Sequence, residues 1–130
     1  MHEDDVRELV DRYESIVPDA LRLAVLYDGD ECEAVYVRED IGEMYAPEEF
    51  DEHVKQLAAD GLGHSPEQNR FRLFGPMDVA VRRFERAIML HFPIDEFAGV
   101  AVALDREAAP SIDTLANVGV EQFEGEPAGQ

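Results

Sequence analysis

A chain of 130 residues with 45% hydrophobic content is long enough to fold as one domain around a real core. Its 30 Asp and Glu against 11 Lys and Arg leave a formal charge of −19. That balance argues against a nucleic-acid surface, because phosphate binding needs an excess of bases.

Ten of the 11 bases are Arg, and Lys55 is the single Lys. At ordinary salt this charge repels itself and opposes the compact state. At molar salt the Debye length falls to about 3 Å and the repulsion is screened. An acidic, Lys-poor balance therefore fits a salt-rich cytoplasm, and a cytoplasmic location is expected. A DNA mimic, with carboxylates in place of phosphates, is the rival reading of the acidity. The spread of acids along both ends of the chain and the loss of Lys favour the solvent reading. Cys32 is the only cysteine, so no intrachain disulfide forms, and it reads as a small apolar strand residue. The acidic start, Met-His-Glu-Asp-Asp, has none of the features of a signal peptide. No apolar run approaches the roughly 18 residues of a membrane helix, so no membrane partner is expected.

The first element is a helix over about Glu3 to Val17, with Val6, Leu9, Val10, Tyr13, Ile16 and Val17 on one stripe and Pro18 as its stop. A hairpin follows. Leu21 to Tyr27 forms one strand, Asp28-Gly29 is the turn, and Cys32 to Arg38 returns. Both faces are apolar, which places the hairpin in the middle of a covered sheet. Residues 39–46 read as an acidic connection. A second helix begins at Pro47, turns Phe50, Val54, Leu57 and Ala58 inward, and stops at Gly61. Gly61 to Gln68 is a loop. A meander comes next: a short strand at Phe71 to Phe74 broken by Gly75-Pro76, then Asp78 to Phe84, a turn near Glu85-Arg86, and Ala87 to Phe92 ended by Pro93. Gly99 to Leu104 is the last strand. Ser111 caps a final helix with Ile112, Leu115 and Val118 inward. The domain is read as residues 1–120, followed by a flexible polar tail over 121–130.

The order of the main elements is helix, two strands, helix, three strands, helix. The fold class is α+β: a five-stranded antiparallel sheet with helices packed on its faces. This order resembles the roadblock and profilin-like layer fold. The stretches Leu-Arg-Leu-Ala-Val-Leu-Tyr-Asp-Gly-Asp and Ala-Ile-Met-Leu-His-Phe-Pro are similar to those of small haloarchaeal proteins in a domain family of unknown function. The resemblance implies a dimeric scaffold or a regulator of small GTPases, and it carries over no functional residue.

The chain contains no phosphate-loop, dinucleotide, nucleophile-elbow or zinc-protease motif, and no cofactor is expected. His2, His53, His64 and His91 stand at no metal-ligand spacing, so no metal site is expected. Acid pairs such as Asp28 with Asp30 carry little information in so acidic a chain. One local feature departs from the rest. Between Gln68 and Phe92 lie five Arg (Arg70, Arg72, Arg82, Arg83 and Arg86) against two acids, Asp78 and Glu85. The structural expectation is that most of these guanidiniums pair with carboxylates of the same fold. The functional alternative is an anion pocket of Arg70, Arg72 and Arg83 with His91, serving a small ligand or a minor enzyme. The leading functional reading is a non-enzymatic interaction or regulatory module that binds itself as a homodimer or another protein.

The charge balance has a direct consequence. Melting temperatures in low salt and in about 2 M KCl should differ by many degrees. A melting temperature flat across that range contradicts salt adaptation.

Overall fold

The structure, a computed structural model, describes residues 2–28, 31–44, 78–94 and 98–124, together with Glu49 and Glu52. Helix α1 spans His2–Ile16 and carries Glu3, Asp4 and Asp5 in its first turn, where the helix dipole favours acids. Its stripe is buried at Val6, Leu9 and Tyr13. The chain leaves the helix through Pro18 and through Asp19, which adopts a left-handed φ of 66°.

Strands β1 (Leu21–Asp28) and β2 (Glu31–Val37) form the expected hairpin, with the tip residues Gly29 and Asp30 outside the described residues. Where an acidic connection was expected, Glu39–Gly42 makes a single helical turn, α2, with Ile41 buried. The predicted helix starting at Pro47 and the predicted strand Phe71–Phe74 lie outside the described residues, apart from Glu49 and Glu52, which are helical. Strands β3 (Ala80–Arg83), β4 (Ala87–Pro93) and β5 (Ala98–Asp105) follow. A 3-10 turn over Arg106–Ser111 leads into helix α3, Ile112–Glu124. The helix thus runs through Gly119 and four residues into the stretch read as tail.

The sheet has the order β2-β1-β5-β4-β3, and every pairing is antiparallel. The architecture is the five-stranded α+β layer that the element order predicts. One placement is corrected: the first hairpin is not in the middle of the sheet. The last strand, β5, inserts between β1 and β4, so β1 is interior and β2 is an edge. Interior position explains why β1 and β5 are apolar on both faces.

Helices α1 and α3 cover one face, where Leu21, Ala24, Leu90, Phe92, Val100, Val102 and Leu104 join Leu9, Tyr13 and Leu115 in one core. On the other face Leu23, Val25, Met89 and Ala101 are also buried. Of the predicted core, Leu23, Val25, Ile88, Leu90, Val100 and Val102 are buried and Val35 is half-buried, while Val54 and Leu57 lie outside the described residues. Val35 is the extra residue of an edge bulge, between the pairs Ala24↔Tyr36 and Val25↔Ala34.

Two contacts fix the helices. The Tyr13 hydroxyl donates to the Leu115 carbonyl at 2.5 Å, tying α1 to α3. Gly119 rests on the Phe92 ring so closely that an added Cβ would overlap the ring carbons.

Leu90→Ala should cost roughly 2–5 kcal/mol in denaturant unfolding, because it opens a cavity under both helices. Gly119→Ala should cost about 1–3 kcal/mol by overpacking Phe92. A neutral Gly119→Ala contradicts this packing of α3 on β4.

Candidate interaction edge

The meander that carries the arginines ends as an outer strand. Among the described residues β3 pairs with β4 alone, through Ala80↔His91, Val81↔Leu90, Arg82↔Met89 and Arg83↔Ile88. The four residues from Val81 to Phe84 are exposed, with Val81 at 50% and Phe84 at 51% of their full accessibility. The turn after β3 is held from two sides. The Phe84 amide donates to the Ala87 carbonyl at 2.8 Å. The Arg106 guanidinium, just beyond β5, donates to the carbonyls of Phe84 at 3.1 Å and Glu85 at 3.3 Å.

Arg82, Arg83 and Arg86 are exposed and form no ion pair among the described residues. The expected pairing of this cluster with carboxylates therefore fails for all three; Arg70 and Arg72 lie outside the described residues. The acid at the end of the neighbouring β5 is already taken. Asp105, opposite Ala87, accepts from Arg22 at 2.9 Å and from Arg38 at 2.7 Å. Arg38 also reaches Asp40 at 2.7 Å and the Asp19 carbonyl at 2.8 Å. Burial alone would raise the Asp105 carboxyl, but the hydrogen bonds from Arg38 and Arg22 outweigh it, and its pKa is lowered. This network ties β1, the end of β2 and β5 together. Sequence reading missed it, because its partners are 67 and 83 residues apart.

The remaining site candidate, His91, lies in β4 on the face opposite Leu90 and Phe92. It is 5% exposed, and its Nε2 lies 2.8 Å from the Tyr27 hydroxyl, with the donor set by the tautomer. The two rings sit 5.8 Å apart and tilted. Gly99 makes room for the tyrosine, since a Cβ there would fall 2.5 Å from its hydroxyl oxygen. Burial first, and the Arg82 charge second, push the imidazole down to about 4. A base this weak takes few protons at neutral pH. Arg83 and His91 are not brought together: Arg83 projects to the α1–α3 face and His91 to the other. Arg82, which was not among the pocket candidates, shares the face of His91.

At the opposite edge a groove of about 480 Å³ runs between α1 and β2. Val10, Val35 and Tyr36 give it apolar walls, and Asp11, Glu14 and Asp19 give it acids. Its two arginines are committed, Arg7 to Glu3 and Arg38 to Asp40 and Asp105. Among the described residues no group of His, Cys, Asp and Glu is arranged to hold a metal ion. No described helix is long and apolar enough to cross a membrane.

The fold is similar to the crystal structure of a roadblock/LC7 domain from Streptomyces avermitilis, at 18% identity over 97% of this chain and 94% of that one, with a TM-score of 0.55. It is also similar to a structure of MglB in a tetrameric arrangement, at 16% identity over 93% and 91% of the two chains, with a TM-score of 0.48. At such identities the likeness is one of fold. A family model described as a domain of unknown function (DUF7522) matches residues 7–123, and the chain belongs to that family. No curated protein matches it in sequence.

The buried imidazole makes a testable contribution to stability. An unfolded chain protonates His91 below about 6.5, whereas the folded chain resists until about 4. The stability that depends on the neutral ring is complete above the unfolded value and drains as pH falls toward the folded one. Wild type should therefore lose a few kcal/mol relative to His91→Gln across that window, measured at constant molar KCl. A difference that stays flat with pH contradicts the burial of this ring.

Proposed function

We propose that the chain is a non-enzymatic protein-interaction module that docks a second polypeptide along its β3 edge, in a salt-rich cytoplasm. The observation that carries this reading is the edge itself. An outer strand presents unused backbone donors and acceptors, a ready template for another strand. Single exposed apolar side chains are ordinary, but here Val81 within the strand and Phe84 just beyond it are both half-exposed. Arg82, Arg83 and Arg86 add positive charge to a chain that is otherwise strongly acidic. An edge of this kind favours an acidic partner strand, which gains backbone pairing, apolar contact and charge complementarity together.

The roadblock-like fold supports the interaction reading by analogy. The separation of Arg83 from His91 weakens the alternative of a shared anion pocket. The salt-rich setting rests on the charge balance and the scarcity of Lys.

The test is a pull-down at molar KCl, comparing wild type with Val81→Asp/Phe84→Asp. The two substitutions put like-signed, hydrated groups where an acidic partner strand would dock. Wild type should retain partners, copies of itself included, that the variant loses by at least about tenfold. Equal recovery by both proteins would remove the β3 edge from the function.

A further inference from the structure

Self-association through β3 has two geometries, and the charges separate them. Under a two-fold axis β3 pairs antiparallel with its own copy, and opposed residues must share a face. Registers centred on Arg82 or Arg83 then oppose an arginine to itself. A register centred on Val81 sets the two copies of Arg82 on a cross-strand diagonal of about 7–8 Å. Like charges so placed are destabilising, and the register that sets Arg82 opposite Asp78 of the copy, centred on Ala80, engages only the first residues of the strand.

The other edge of the sheet has the opposite character. β2 presents Glu31 and Glu33, both exposed. Glu33 pairs with Leu26, whose side chain packs into the α1–α3 core, so both acids project to the helical face. Arg83 pairs with Ile88, which stands opposite the core residue Leu104, so it projects to the same face. The groove between α1 and β2 adds Asp11, Glu14 and Asp19 on that side. Four successive antiparallel pairings make β2 and β3 run in the same direction. A second copy shifted along the sheet therefore meets the first with β3 beside β2, parallel, and with its helices on the same side.

We propose that copies of this chain associate head to tail, the basic β3 edge of one seated on the acidic β2 edge of the next. The proposal rests on the reading of β3 as the docking edge and names its occupant. Such a contact is heterologous and does not close on itself, so it builds open chains of subunits instead of a sealed dimer. The net charge opposes the assembly at low salt; at molar salt that long-range repulsion is screened, while ion pairs in direct contact across the joined edges are screened less, so the oligomers belong to molar salt.

Charge exchange tests the pairing. Glu31→Lys/Glu33→Lys reverses one edge and Arg82→Glu/Arg83→Glu reverses the other, all at exposed positions. Each purified protein is followed by sedimentation velocity over a range of concentration in about 1 M KCl, with its melting curve as the control for folding. Wild type should form a concentration-dependent ladder of oligomers. Each reversed edge alone should weaken association by roughly tenfold or more. The variant carrying both reversals should recover it, a rescue that damage to the fold cannot produce. If reversing β2 leaves association intact while reversing β3 abolishes it, the head-to-tail pairing is overturned and β3 remains a docking edge for another partner. Wild type that stays monomeric throughout, or a double reversal without recovery, also overturns it.

Discussion

β5 is hydrogen-bonded along both of its sides, to β1 from Asp28↔Ala98 to Leu21↔Leu104 and to β4 from Pro93↔Gly99 to Ala87↔Asp105. Everything else in the sheet is placed by that insertion. The last strand must be apolar on both faces, because it is covered above and below, and Gly-Val-Ala-Val-Ala-Leu meets that demand. It drives β2 to one edge and β3 to the other. It also delivers Asp105 and Arg106 to one end of the sheet, where the first collects Arg22 and Arg38 and the second holds the β3–β4 turn. Two adjacent residues thus organise opposite sides of the molecule.

The arginines divide accordingly. Arg7, Arg12, Arg22 and Arg38 each have a carboxylate partner, and all belong to the half of the fold built from α1, β1 and β2. Most of these pairs are at least partly exposed and contribute modestly to stability. The β3 arginines are left in solvent. In a chain with so many acids, charge left unpaired among the described residues is a property of placement. β3 lies across the sheet from the carboxylates of α1 and β2, Asp105 at the sheet end is already engaged, and the nearby Asp78 and Glu85 form no ion pair with the β3 arginines among the described residues. Among the described residues, acids gather at the β2 edge and arginines at the β3 edge.

Much of the local structure is legible in the residues. The stripe Val6, Leu9, Tyr13 predicts α1, Asp28-Gly29 predicts the hairpin, and the apolar runs at Ala87 and Gly99 predict β4 and β5. Pairing order is not legible, because nothing local in Gly99 to Leu104 says that this strand lies beside Leu21 to Asp28. That is why β2 reads as interior and emerges as an edge. The Asp105 network is hidden for the same reason. The continuation of α3 past Gly119 depends on Phe92, a residue in another element, whose ring occupies the space a side chain would need. The charge anomaly of the Arg-rich stretch is plain in the sequence. Its meaning depends on burial: on an interior strand those guanidiniums would need partners, whereas on an outer strand water serves them.

The central claim, that β3 is the edge where a second copy of the chain docks, is tested most directly by amide hydrogen exchange in molar KCl over a range of protein concentration. The account predicts that the amides from Val81 to Phe84 exchange fast in dilute solution and gain protection as concentration rises, while α1 and α3 stay unchanged. Exchange at β3 that remains fast at every concentration, with protection growing on the helical face instead, would contradict it.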